Sequence, residues 1–260
     1  MPFNPIRRSR NIGTSKQGQG QNNRLVIPKL SSSARSCTVQ LDPDQTIRRN
    51  LNGKDVTFIV EKTTGGCTHA CTVEDVVFLL SRVPASDWEG LETFVFRQPT
   101  RKARILRPAW GRMFYRADLG FRGSSIVKSG PAIFLEACDV NETTEWPTSL
   151  DPDDAAELDR LRSDGHHVGK VGRKHMISIS SESVRSTQLY RTLLHEIGHW
   201  LEWLESVKNP VARGGDYSEL ADLYFARPNS EREAFAHRYA DKLRAALAKS
   251  GIIPFSRIEG

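Results

Sequence analysis

Cysteine is scarce in this chain, with four in 260 residues, which excludes a disulfide-stapled scaffold. No apolar run approaches the roughly 18 residues that a membrane-spanning helix needs, so no membrane partner is expected. The N-terminal stretch MPFNPIRRSRNIGTSKQGQG has arginines with no apolar segment behind them. Neither a Sec nor a twin-arginine leader is expected from that pattern, and the expected location is cytoplasmic. Acid is missing from residues 1–41, which carry seven Lys/Arg and a net charge of +7. Since the whole chain stands at +6, residues 42–260 are close to neutral. The basic balance belongs to a tail. That tail is rich in Ser, Gln, Asn and Gly without periodicity, so residues 1–41 are expected to be disordered. Weak, nonspecific contact with nucleic-acid phosphates is the one partner such an arm suggests.

Beyond the tail, patterning predicts mixed strands first and helices last, the signature of an α+β fold. Strands are expected over Asp55–Glu61, Thr93–Arg97, Met113–Ala117, Ala132–Ala137 and Met176–Ser180, each bounded by Gly, Pro or polar residues. Thr72 followed by Asp75 reads as a helix start, and Val73–Val83 has helical apolar spacing up to Pro84. Pro152–Ser163 is a predicted helix with Asp151 as its cap and Gly165 beyond its end. A long helix is expected over 184–207, a loop over Pro210–Tyr217 and a last helix from Ser230 to Ala248. The organisation expected is a tail over 1–41, an α/β region of unknown role over 42–150 and a catalytic region over 151–260.

The long helix contains LLHEIGHWLE, residues Leu193–Glu202. His195 and His199 are four apart, so they share a helix face and can reach one metal ion. Glu196 lies about 100° round the helix, where a carboxylate can take a proton from metal-bound water. Composition alone would produce about 0.01 such HExxH matches by chance. Tyr190, Leu193, Ile197, Leu201 and Leu204 form an apolar stripe almost opposite the two histidines. Gly198 is unfavourable inside a helix by about 1 kcal/mol relative to Ala, and leaves room for a backbone or substrate to approach.

This segment resembles the zinc helix of the zincin metallopeptidases. The resemblance implies a sheet packed on the helix, one Zn²⁺ ion, and a substrate strand lying along the sheet edge; Met176–Ser180 is the natural candidate for part of that sheet. Metzincins continue with Gly and His at positions occupied here by Glu202 and Glu205, so the third ligand must come from elsewhere. Ser230–Leu243 resembles the second helix of gluzincins, in which a Glu is that ligand. Glu233-Ala234 and Tyr239-Ala240 are similar to the ImmA/IrrE-like pattern, with Phe235 where that pattern has Asn. Glu233 shares an inward stripe with Ala236, Ala240, Leu243 and Leu247, which favours it over Glu231, two residues away, and over Asp216 in the preceding loop. His237, Tyr217 and Tyr224 are candidate donors to an oxyanion.

Weaker signals stand beside these. Cys67, His69 and Cys71 lie within five residues, though a structural zinc site normally needs a second ligand pair. Arg97–Arg107 reads as a charged strand edge, and His166-His167 as surface histidines or a loop at a cleft rim. The function expected is a zinc-dependent hydrolase acting on protein or peptide substrates, with His195, His199 and Glu233 as ligands and Glu196 as base. Two alternatives carry different expectations. A regulatory or nucleic-acid-binding protein would work through its basic tail. A structural zinc protein would have a closed four-ligand shell and no turnover.

Overall fold

In the computed structural model, residues 37–106, 109–121 and 126–260 are described. Most of the tail predicted over 1–41 lies outside them. Its last five residues do not fit that prediction: Cys37–Leu41 form strand β1, with Val39 and Leu41 packed into the sheet core. Alternation over this short stretch was masked by the polar segment before it.

The chain is α+β. A six-stranded mixed sheet has the order β1-β6-β7-β5-β3-β2, formed by β1, β2 (Pro43–Leu51), β3 (Lys54–Glu61), β5 (Thr93–Arg97), β6 (Gly111–Phe121) and β7 (Ile126–Glu136). Period-two alternation gives this sheet two apolar faces. Phe58, Phe94, Phe96, Ile133 and Leu135 point to one face, while Ile59, Val95, Ala132 and Phe134 point to the other. Strands β2 and β3 are joined through Asn52-Gly53, both with positive φ, as a two-residue hairpin turn requires.

Helix α1 (Val73–Leu80) is set by a capping box: Thr72 accepts from the Asp75 amide and Asp75 accepts from the Thr72 amide. It buries Val76, Leu79 and Leu80 in the larger core, which also receives Trp88, Leu193, Ile197 and Trp200. A two-stranded ladder joins β4 (Cys67–Thr68) to β8 (Cys138–Asp139). The basic stretch after β5 forms a short helix, α2 (Arg101–Leu106), where a strand edge was predicted.

A second, three-stranded antiparallel sheet joins β9 (Thr143–Pro147), β10 (His167–Val171) and β11 (Lys174–Ser178). Helix α3 (Pro152–Ser163) packs Leu158 and Leu161 against Ile177 of this sheet. The strand predicted over Met176–Ser180 therefore belongs to a separate sheet, because its edges are taken by β9 and β10. The strand that meets the HExxH helix is β6.

A capping box at Ser180 starts α4 (Ser181–Thr187), which continues through a π-helical stretch, Gln188–Leu193, into α5 (Leu194–Trp203). A second π-helical stretch, Leu204–Lys208, leads to the short α6 (Asn209–Ala212). The predicted loop then ends in a helix that sequence patterning missed, α7 (Tyr217–Ala226), capped by Asp216. The last helix is α8 (Asn229–Lys249). No helix among the described residues is long and apolar enough to cross a membrane.

Candidate metal centre

The HExxH segment is tied to the rest of the fold by hydrogen bonds and close packing. Gln188, in the π-helical stretch, donates to the carbonyls of Glu136 (2.6 Å) and Trp110 (3.1 Å), which ties the helix to the end of β7. Gly111 at the start of β6 lets the helix come close, since a Cβ there would stand 2.8 Å from Thr192 Cγ2 and 2.7 Å from the Phe134 carbonyl. Trp200 is buried and donates from Nε1 to the Glu89 carbonyl at 2.9 Å. A π-helical turn adds a residue to the helix repeat and rotates the helical turns beyond it. Here it sits directly before Leu194, so it sets the direction in which His195 and His199 point.

Glu233 arrives from α8, and the approach depends on small residues. A Cβ on Gly198 would lie 3.0 Å from Ala236 Cα and 3.1 Å from Tyr239 Cδ1. With hydrogen at position 198 and methyl groups on the buried Ala236 and Ala240, α8 crosses close over α5. Glu233 Oε2 then stands 3.2 Å from His195 Nε2 and 3.5 Å from His199 Nε2. The three donor atoms all lie within 4.8 Å of one another. In a tetrahedral zinc shell with bonds of about 2.0–2.1 Å, neighbouring ligand atoms are about 3.3 Å apart. The two spacings bracket that edge, and two imidazole nitrogens with one carboxylate oxygen are a donor set zinc takes. The residues fit the ion.

Electrostatics agree with such a cluster. Hydrogen bonding to His195 and then to His199 holds the Glu233 carboxyl far below the usual carboxylate range. Burial disfavours the charged form of His199, but donation to Glu233 together with the charges of Glu196, Glu233 and Glu202 outweighs it and raises the imidazole. The Nδ1 atoms of both histidines are buried without a partner, so Nε2 is the nitrogen each presents to the cluster. Asn229 Nδ2 donates to the second oxygen of Glu233 at 3.2 Å and steadies it.

Glu196 is buried, and burial raises its carboxyl above the usual range. Its Oε2 accepts from the Met113 amide of β6 at 2.7 Å. Strand β1 pairs with β6 only from Ala117 onward, so among the described residues Gly111–Arg116 has no strand on that side. A cleft of about 420 Å³ opens there, with Gly111, Met113 and Tyr115 on one wall, His195, Glu196 and His199 at its base and Glu233 opposite.

No family model, curated protein or solved structure matches this chain.

His195, Glu196, His199 and Glu233, singled out in the sequence, thus meet at one cleft. The competing acids are used otherwise. Asp216 caps α7 by accepting from the Glu219 amide at 2.8 Å, and Glu231 lies 3.5 Å from Arg227 Nε. Of the three oxyanion candidates, Tyr224 is buried and bonded to Tyr115 (2.8 Å) and Glu202 (3.2 Å), while Tyr217 is exposed. His237 stands beside His195, ring centroids 4.4 Å apart, and burial with the His195 charge pushes its imidazole down to about 4.

Tyr115 and Arg232 line the cleft although no sequence signal singled them out. Nothing local marks them, because their placement depends on which strand and which helix turn face the histidines. Trp203, on the C-terminal side of the HExxH segment, is buried against Tyr115, Tyr224 and Phe225. His166 is buried rather than superficial, with its ring nitrogens 2.8 Å from Thr187 Oγ1 and 3.2 Å from Ser183 Oγ. His69 Nε2 bonds the Glu61 carbonyl at 2.8 Å, and Cys67 and Cys71 are buried free thiols. Among the described residues those three do not converge on a common point.

Proposed function

We propose that this protein is a zinc-dependent hydrolase, most specifically a peptidase, in which a zincin-like arrangement sets the mixed sheet against the HExxH helix and the C-terminal helix. His195, His199 and Glu233 would hold the ion. The single observation that carries the reading is the convergence of these three donor atoms beside a carboxylate, Glu196, that is not one of them. The chemistry that zinc supplies when bound is Lewis acidity, which acidifies water and polarises a carbonyl.

The protein's own part comes from its side chains. Glu196 takes the proton of the attacking water and returns it to the leaving amine nitrogen. The Met113 amide keeps its carboxylate oriented toward the cleft, so no reorganisation is needed when the proton moves. Apart from the Met113 amide, already bonded to Glu196, the side of Gly111–Arg116 that no strand covers among the described residues offers backbone groups to an extended chain, which favours a peptide over a compact small molecule. A structural zinc site would close its shell with a fourth protein ligand, whereas three donors are grouped here among the described residues.

The test is Glu196→Gln. Hydrolysis of a peptide library should disappear while zinc stays near one ion per chain. Undiminished turnover, or loss of the metal from this variant, would contradict the role given to Glu196.

A further inference from the structure

Arg232 precedes Glu233 on α8 and lines the same cleft, yet holding a metal does not need it. Its guanidinium lies over the rings of Tyr224 (5.5 Å) and Phe225 (5.4 Å), and its Nη2 donates to Asn229 Oδ1 at 3.0 Å. Nearby cations have acids. Arg227 pairs with Glu202 at 2.8 Å, and Arg112, on the opposite wall, lies 3.9 Å from Glu136. Among the described residues no carboxylate pairs with Arg232, and its Nε is buried without an acceptor.

Such a donor is costly to leave unmade. The position is also poor for the helix, because Arg232 sits in the first turn of a 21-residue helix, where the backbone dipole disfavours a cation. Neither an ion pair nor the helix field accounts for it. The two rings and the bond to Asn229 hold the guanidinium in place, leaving its remaining N–H groups for the paired oxygens of a carboxylate. With a divalent ion held, Glu196 and Glu233 would only balance its charge, so Arg232 would leave the cleft positive.

We infer that Arg232 is the specificity-determining residue of this cleft: it binds a carboxylate of the peptide substrate beside the scissile bond and so selects acidic peptides. The inference rests on the hydrolase reading above. The carboxylate belongs either to an Asp or Glu side chain or to the substrate's own C-terminus. Both present the same paired oxygens, and the experiment separates them.

The experiment uses the full zinc-loaded chain and peptide libraries with Glu, Gln or Lys fixed at single positions, each made with free and with amidated C-termini. Hydrolysis is measured with the wild type, and binding by fluorescence anisotropy with Glu196→Gln. Wild type should favour Glu over Gln at one position by about tenfold or more in kcat/KM and in affinity. Loss of that preference on amidation would identify the C-terminus as the source; persistence would identify the side chain. Arg232→Gln should reduce the preference to near one, Arg232→Lys should restore part of it, and Arg232→Glu should turn it toward Lys, each compared at a temperature well below that variant's own thermal midpoint. A purely structural stacking role would leave the Glu-to-Gln ratio of Arg232→Gln as in the wild type. Equal hydrolysis of all three libraries by the wild type overturns the inference and leaves the hydrolase reading standing. Absence of both hydrolysis and zinc-dependent binding overturns both.

Discussion

The Glu196 carboxylate and the Met113 amide, 83 residues apart in the chain, meet at 2.7 Å. That bond links the half of the chain with no recognisable motif to the helix that carries HExxH. It gives residues 42–150 a role in the site: they supply the strand that orients the proposed base. Met113→Pro removes this donor together with the Met113 side chain packed against the larger core, so Met113→Leu is measured beside it as the control for the side chain. Hydrolysis should fall by about 10- to 100-fold, the worth of one hydrogen bond to a charged group, with zinc content unchanged. Rates and metal content of the purified variant decide it; wild-type rates would mean that the Met113 amide does not orient the base.

Gly198→Ala should destabilise the protein by about 1–3 kcal/mol, although alanine is the better helix former. The added methyl would meet Ala236 Cα at 3.0 Å and the Ala236 carbonyl at 3.1 Å, which are backbone atoms and cannot rotate away. Helix α8 must shift, and Glu233 with it. Chemical denaturation and a chelator titration on the same preparation should therefore show two losses, in stability and in zinc affinity. A gain in stability would mean that the two helices do not pack this closely.

Asp75 is a structural hub away from the cleft. It accepts from Arg185 Nε and Nη2 (3.0 and 2.8 Å), from the Thr72 amide (3.1 Å) and from the Ile258 amide (3.0 Å). Burial alone would raise its carboxyl, but the Arg185 hydrogen bonds and the two amides lower it below the usual range. A depressed carboxyl adds stability above its ordinary pKa of about 4, and that part is lost as pH falls through the lower folded value. Asp75→Ala should cost about 3 kcal/mol at neutral pH. Its deficit against the wild type should shrink on acidification below about pH 4. Denaturant midpoints across that range test this, and a deficit that widens toward low pH would contradict the sign.

Two of the four thiols should resist modification. Burial pushes both Cys71 and Cys138 up to about 12. At pH 8 their reactive thiolate fraction is about one in ten thousand. Iodoacetamide should leave both unlabelled in the native protein and modify them after unfolding, as read by mass spectrometry of tryptic peptides. Rapid labelling of Cys71 in native conditions would contradict its burial.

What could be read from the sequence was whatever local chemistry fixes. Pro152–Ser163 and Thr93–Arg97 have the predicted bounds, because an Asp-Pro start and a strand between breakers need no distant partner. His195, Glu196 and His199 were legible from spacing along one helix. Glu233 was singled out by its inward stripe with Ala236 and Ala240 and by the resemblance of its Glu-Ala setting to the gluzincin helix. Strand partners were not, since pairing is decided by contacts remote in sequence. Lys174–Ser178 directly precedes the HExxH helix yet pairs with β9 and β10, while Gly111–Phe121 meets that helix from far upstream. The π-helical stretch Gln188–Leu193 also escaped notice, because no residue type marks it. Helix α7 was missed because Gly214-Gly215 signals a loop and hides the capping Asp216 that ends it.

The proposed zinc site of His195, His199 and Glu233 stands or falls on zinc retention. Purified wild-type protein and the Glu233→Ala, Glu231→Ala and Asp216→Ala variants are dialysed against a graded chelator series, and bound zinc is read by elemental mass spectrometry. One tightly held ion is expected in the wild type and in the Glu231→Ala and Asp216→Ala variants, and early loss in Glu233→Ala. A wild type that holds no zinc, or a Glu233→Ala variant that retains it as firmly as the wild type, would contradict the claim.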